Sequence, residues 1–222
     1  MYNLNTQRNS IKPLVDALQE MFSRINQRFC GLELPDCVIS VAPAGRKSAY
    51  AWFCLAAWKK GQEENPDYIP EINLAAEHLA RGKLAACESL IHEMVHYRNF
   101  SEGIRDCSSN QYHNIKFQKR CEEFGLNCEL MGKYGYAATS LSDSLRGWCE
   151  ETFSDIPDEV FDLARLPETI DPKTGKKKGK APTKMKKWSC GCTNVRCAVQ
   201  LDASCDRCGN AFEPADLAKE DN

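Results

Sequence analysis

The sequence predicts an α+β fold followed by a small cysteine-rich module. Three observations carry this expectation. After a first helical segment, short β-branched or alternating segments are followed by further helical periodicities, the pattern of an α+β domain. One helical segment contains His92-Glu93-Met94-Val95-His96. Five of the thirteen cysteines crowd between Cys190 and Cys208, beyond a lysine-rich stretch without apolar periodicity.

The first element is a helix over Ile11 to Phe29, with apolar residues at Leu14, Leu18, Met21, Phe22 and Ile25. Ser10 fits an N-cap, Pro13 fits the first turn and Gly31 fits the stop. Cys37 to Val41 reads as a β-branched strand between prolines. A turn at Ala44 to Lys47 precedes a second strand, Ala49 to Trp58. Another turn at Asn65 to Asp67 precedes a third, Tyr68 to Leu74, in which Ile72 and Leu74 alternate with Glu71 and Asn73. The central helix then runs from Lys83 to Asn99. After a polar loop, Ser101 to Gln111, further helices are expected from Tyr112 to Phe124 and from Ser140 to Phe153. The expected division is a domain over 1–166, a basic flexible linker over 167–187, a cysteine module over 188–214 and a polar tail over 215–222.

The chemistry of the central helix follows from its geometry. At 100° per residue, His96 falls about 40° from His92 and Glu93 about 100° from it. Leu84, Cys87, Leu90, Ile91, Met94 and Val95 occupy the other side. His92 and His96 can therefore offer two imidazoles to one zinc ion, with Glu93 beside them as general base. A catalytic zinc takes a third protein ligand and leaves a position open for water. Asn99 and Glu102 stand where a metzincin has glycine and histidine, which excludes that class. Glu122 or Glu123 could complete the set from a later helix, and so could His113, seventeen residues after His96. His78 reads as a solvent-facing residue without a role.

Cys190, Cys192, Cys205 and Cys208 can close a tetrahedral thiolate site of the structural kind. Val195, Cys197, Val199 and Leu201 share one strand parity, so Cys197 reads as an inward strand residue; a Cys192/Cys197 pair is the alternative. So small a module has too little core to fold unaided, and metal binding would supply its folding energy. The remaining cysteines read as small buried hydrophobes of a reduced protein. Charge is uneven. Glu150 to Asp171 holds eight acidic residues and one arginine, whereas Lys173 to Lys187 holds eight lysines and no acid. Lys176, Lys177, Lys178, Lys184, Lys186, Lys187 and Arg196 are candidates for nonspecific DNA phosphate contacts. Apolar runs are too short to span a bilayer, and Met1 to Ser10 lacks a signal-peptide core, so the expected compartment is the cytoplasm with no membrane partner.

The ordered combination of a strand, the H-E-x-x-H helix, a loop, His113-x-x-x-Phe117, and then Cys190-x-Cys192 with Cys205-x-x-Cys208-Gly209 resembles the SprT family, which includes the Spartan-type proteases. The resemblance spans about residues 11 to 214. It implies a zincin-like metallopeptidase domain with a C-terminal zinc ribbon. It further implies His92, His96 and His113 as ligands of a catalytic zinc, Glu93 as acid/base, and a second, structural zinc in the ribbon. The expected activity is endopeptidase action on DNA-associated proteins. The competing expectation is a non-catalytic nucleic-acid-binding zinc protein whose H-E-x-x-H site is structural or vestigial.

Overall fold

The computed structural model describes residues 10–44, 49–61, 67–166, 174–176 and 185–215. The chain divides into two compact units, Met1–Pro167 and Glu168–Asn222. Both mix strands with irregular structure, and the first adds helices, so the protein is α+β with small sheets. Among the described residues no helix is long and apolar enough to cross a membrane.

The first unit opens with α1, Lys12–Cys30. Pro13 sits in its first turn, and Gly31 ends it at φ 59°, a left-handed conformation that glycine adopts without a Cβ penalty. Ser10 is not the N-cap. Ile11 occupies that position, and the Ser10 hydroxyl accepts from the Lys12 amide at 3.2 Å. The face Leu14, Leu18, Met21, Phe22, Ile25 is buried as its spacing predicts.

The expected three strands form one sheet: β1 Val38–Ala42, β2 Ala51–Lys60 and β3 Asp67–Ala75, in the order β1-β3-β2. β3 pairs parallel to β1, from Val38↔Glu71 to Ala42↔Ala75, and antiparallel to β2. Ile72 and Leu74 enter the core. Beyond Cys54, β2 leaves the core: its register shifts before Trp58, and Leu55 and Trp58 are exposed. Gly45, Arg46, Lys47, Asn65 and Pro66 of the expected turns lie outside the described residues. A 3-10 turn, Ala76–Arg81, links the sheet to α2, Lys83–Ser101. His78 in that turn is half-buried and edge-on to Tyr50 at 4.8 Å, not fully solvated.

α2 is the centre of the unit. It touches α1, β2 and β3, and also α3 (Ile115–Glu123), β5 (Gly135–Leu141) and α4 (Asp143–Thr152). Cys87, Leu90, Ile91, Met94 and Val95 are fully buried. On the opposite side Glu93, Tyr97 and Asn99 are buried too, while His92 and His96 are only half-buried. α3 and β5 pack against part of that side.

Those later elements differ most from expectation. The helix expected from Tyr112 begins at Ile115, because the Asn114 side chain caps it by accepting from the Lys116 amide at 2.8 Å. The helix expected from Ser140 begins at Asp143, with Ser142 as N-cap. Ser140 and Leu141 belong instead to β5, which pairs antiparallel with β4, Leu126–Met131, around a 3-10 turn, Gly132–Tyr134. This hairpin was not expected from the sequence. Of the scattered cysteines, Cys30, Cys87, Cys121 and Cys149 are buried as expected, but Cys54 is exposed. The sulfurs of Cys87 on α2 and Cys149 on α4 lie 3.5 Å apart.

In the second unit, β6 (Lys186–Ser189) lies between β7 (Asn194–Cys197) and β8 (Glu213–Pro214). Lys186 and Lys187 are therefore strand residues rather than the end of a linker. Trp188 is buried at the centre of this sheet. Val195 and Cys197 are half-buried and Arg196 is exposed, in line with the parity read from the sequence. That parity stops at Cys197, and Val199 is exposed.

Candidate metal centre

α2 presents His92 and His96 one turn apart, and the segment before α3 brings His113 to them. One ring nitrogen from each of the three lies within 4.8 Å of the others. His96 Nε2 and His113 Nε2 are 3.1 Å apart. The other nitrogen of every ring is occupied by an oxygen. His92 Nδ1 lies 3.1 Å from the Thr139 hydroxyl of β5. His96 Nδ1 lies 2.9 Å from Asp106 Oδ2. His113 Nδ1 lies 3.1 Å from the Gln111 carbonyl and 3.3 Å from that of Tyr134. The Asp106 carboxylate and the two carbonyls can only accept, so they select the Nδ1–H tautomer of His96 and His113 and leave those Nε2 lone pairs free for a metal, while the Thr139 hydroxyl orients the His92 ring. Phe117 on α3 forms the floor, with its ring centroid 4.5 to 4.8 Å from all three imidazoles. The donor chemistry fits a divalent metal that takes imidazole.

The partners of His96 continue outward. Asn99 donates to the same Asp106 oxygen at 2.8 Å, and Arg120 donates to Asn99 Oδ1 at 3.1 Å. Arg120 also pairs with Glu102 and, at 2.8 Å, with Glu123. Of the residues at the metzincin glycine and histidine positions, Asn99 holds Asp106 directly, and Glu102 pairs with the Arg120 that holds Asn99. Glu122 accepts from Gln118 at 3.0 Å, and neither it nor Glu123 joins the histidine group.

Electrostatics follow burial. His92 is held well below the usual imidazole range by burial, then by the nearby charge of His96 and His113. Burial and the charge of His96 also lower His113. Burial pulls His96 down too, but its hydrogen bond to Asp106 and the charges of Glu93 and Asp106 together outweigh this and raise it. Glu93 is pushed up to about 7 by burial, against the His96 charge and a backbone hydrogen bond from Phe53. The group lies in a cleft of about 900 Å³, with Tyr50 just before β2 and Trp52 and Phe53 of β2 on one wall and Tyr134 and Ala138 of the hairpin on another.

In the second unit the sulfurs of Cys190, Cys192, Cys205 and Cys208 also lie within 4.8 Å of one another, without Cys197. Cys190 is held at about 6: burial raises it, but hydrogen bonds from the Cys192 and Thr193 backbone and from neighbouring thiols outweigh that. Four thiols with no fifth position describe a closed metal site. Lys187 and Arg196 stand directly opposite each other across β6 and β7, both exposed, beside Lys186. Lys176 is exposed. Lys177, Lys178 and Lys184 lie outside the described residues. Trp188 is buried and offers no stacking surface.

Sequence reasoning missed Asp106, Thr139 and the Gln111 and Tyr134 carbonyls. None of these has a spacing signal, since each reaches the site through a loop or the unexpected hairpin. No protein-family model, curated protein or solved structure matches the chain. The fold and the two donor groups define an α+β protein with two separate candidate metal centres.

Proposed function

We propose that this chain is a zinc-dependent endopeptidase of SprT-like, zincin type, acting on proteins held on DNA. The observation that supports it best is the convergence of three imidazoles, each with Nδ1 held by an oxygen, beside a buried glutamate in an open cleft. His92, His96 and His113 would hold one zinc, and the four ribbon cysteines a second, structural one. When bound, the first zinc supplies a Lewis acid that polarises the scissile carbonyl and acidifies a water.

The chain's own residues do the rest. Glu93, adjacent to His92 on α2, takes the proton from the attacking water and returns it to the leaving amine. Asp106, Thr139 and the two carbonyls keep the imidazoles aimed throughout. Walls from the β2 edge and the hairpin align an extended polypeptide and limit water. Lys187 and Arg196 on the ribbon, two like charges facing each other across a strand pair, are relieved by a phosphate between them.

The test uses the full chain with a basic DNA-binding protein as substrate, with and without DNA. Glu93→Gln is expected to keep both zincs and lose hydrolysis by about 10²–10⁴-fold, the usual contribution of a general acid/base. Cleavage by that variant at the wild-type rate would overturn the mechanism. Two bound zincs with no hydrolysis by the wild type would favour the non-catalytic nucleic-acid-binding reading.

A further inference from the structure

We infer that the β4–β5 hairpin is the mould for the third imidazole, and that Gly135 is the positioning residue that lets it close on His113. The inference rests on reading His92, His96 and His113 as a metal site.

His92 and His96 share one helix, so helix geometry alone sets their spacing. His113 has no such support. It precedes the Asn114 cap and lies in isolated bridges, one of them to Gly135. Its backbone amide donates to the Tyr134 carbonyl at 3.0 Å, and the Tyr136 amide donates to its carbonyl at 3.0 Å. The same Tyr134 carbonyl lies 3.3 Å from His113 Nδ1. One residue of the hairpin therefore holds both the main chain and the ring of the ligand. That fixes where Nε2 points.

Gly135 makes this approach feasible. It has φ 64° and ψ −137°, a region almost closed to residues with a Cβ. A Cβ added there would overlap the His113 carbonyl oxygen and come within 3.1 Å of the His113 nitrogen. Gly132, three residues earlier in the same turn, also has positive φ, but its Cβ would meet nothing within 4 Å. The demand at Gly135 thus comes from the ligand segment and not from the turn alone. A side chain there would push His113 away from the two helix histidines and leave a two-imidazole site.

The experiment titrates the full chain with cobalt(II), and with zinc against a competing chelator. Thiolate charge-transfer bands report the four-cysteine site separately. Gly135→Ala is expected to lose about 10- to 100-fold in affinity at the histidine site, the range found when a ligand loses its supporting shell. Gly132→Ala should lose none. In a His113→Ala background, Gly135→Ala should change nothing further, because it acts through that ligand. Full affinity in Gly135→Ala, or an additive loss in the double variant, overturns the inference. A wild type with no metal at the histidines overturns the metal-site reading instead. Should Gly135→Ala not fold, amide exchange of the wild type decides. The His113 and Tyr136 amides should be as protected in metal-free as in zinc-loaded protein, and loss of that protection without zinc overturns the mould.

Discussion

At the scale of single residues, the site depends on what stands behind its ligands. Asp106 accepts from both His96 and Asn99, and those bonds hold its carboxyl below the usual range against a burial effect that raises it. Asp106→Ala is expected to weaken metal binding at the histidine group by about 10- to 100-fold while leaving the cysteine site loaded; chelator competition measures both. An unchanged affinity would mean that α2 alone orients His96. His92, Glu93 and His96 were legible in the sequence because a helix converts spacing directly into a shared face. His113 was legible only through the resemblance, since residue spacing left Glu122 and Glu123 equally open. Asp106 and Thr139 were not legible: a loop carboxylate and a strand hydroxyl acquire their partners only when the chain has folded back.

At the scale of elements, the amphipathic α1 and the alternating strands of the first sheet were readable because one face is apolar and the other wet. The β4–β5 hairpin was not, because β4 is largely exposed and its sequence lacks a clean alternation. Caps placed α3 and α4 three residues later than periodicity suggested, since Asn114 and Ser142 override the apolar pattern at the ends. The turn between β3 and α2 carries an element-level clamp. Glu77 accepts from the Ala44 amide at 2.8 Å and pairs with Arg165 at 3.4 Å, joining the end of β1 to the last segment of the unit. Burial raises its carboxyl, but the backbone bonds and Arg165 outweigh this, so its folded value lies below the unfolded value of about 4.3. For an acid lowered by folding, the stability is present above the unfolded value and is lost as pH falls through the folded one. Glu77→Gln should therefore lower the unfolding midpoint by a few degrees at pH 7 and by less at pH 3. Thermal melts across that range check it, and an equal loss at both pH values would contradict the sign.

At the scale of the molecule, the two units carry separate donor groups, three imidazoles in one and four thiols in the other. The basic pair on the ribbon gives the DNA reading a measurable signature. Lys187→Ala and Arg196→Ala should each reduce the slope of log affinity against log salt by about 1, uniformly across DNA sequences. A sequence-dependent loss, or an unchanged slope, would place the contact elsewhere. The strand order of the first unit has a consequence in time rather than in space. β3 is the last of its three strands to be synthesised, yet it occupies the middle. β1 and β2 share no ladder, so neither can begin the sheet when it leaves the ribosome. Both must wait for residues 67–75, and β1 then joins in parallel over more than thirty intervening residues, a closure that is entropically slow. During that interval Ile39, Phe53 and Trp52 have no sheet to enter. The nascent chain is therefore most in need of shielding just before α2 is made.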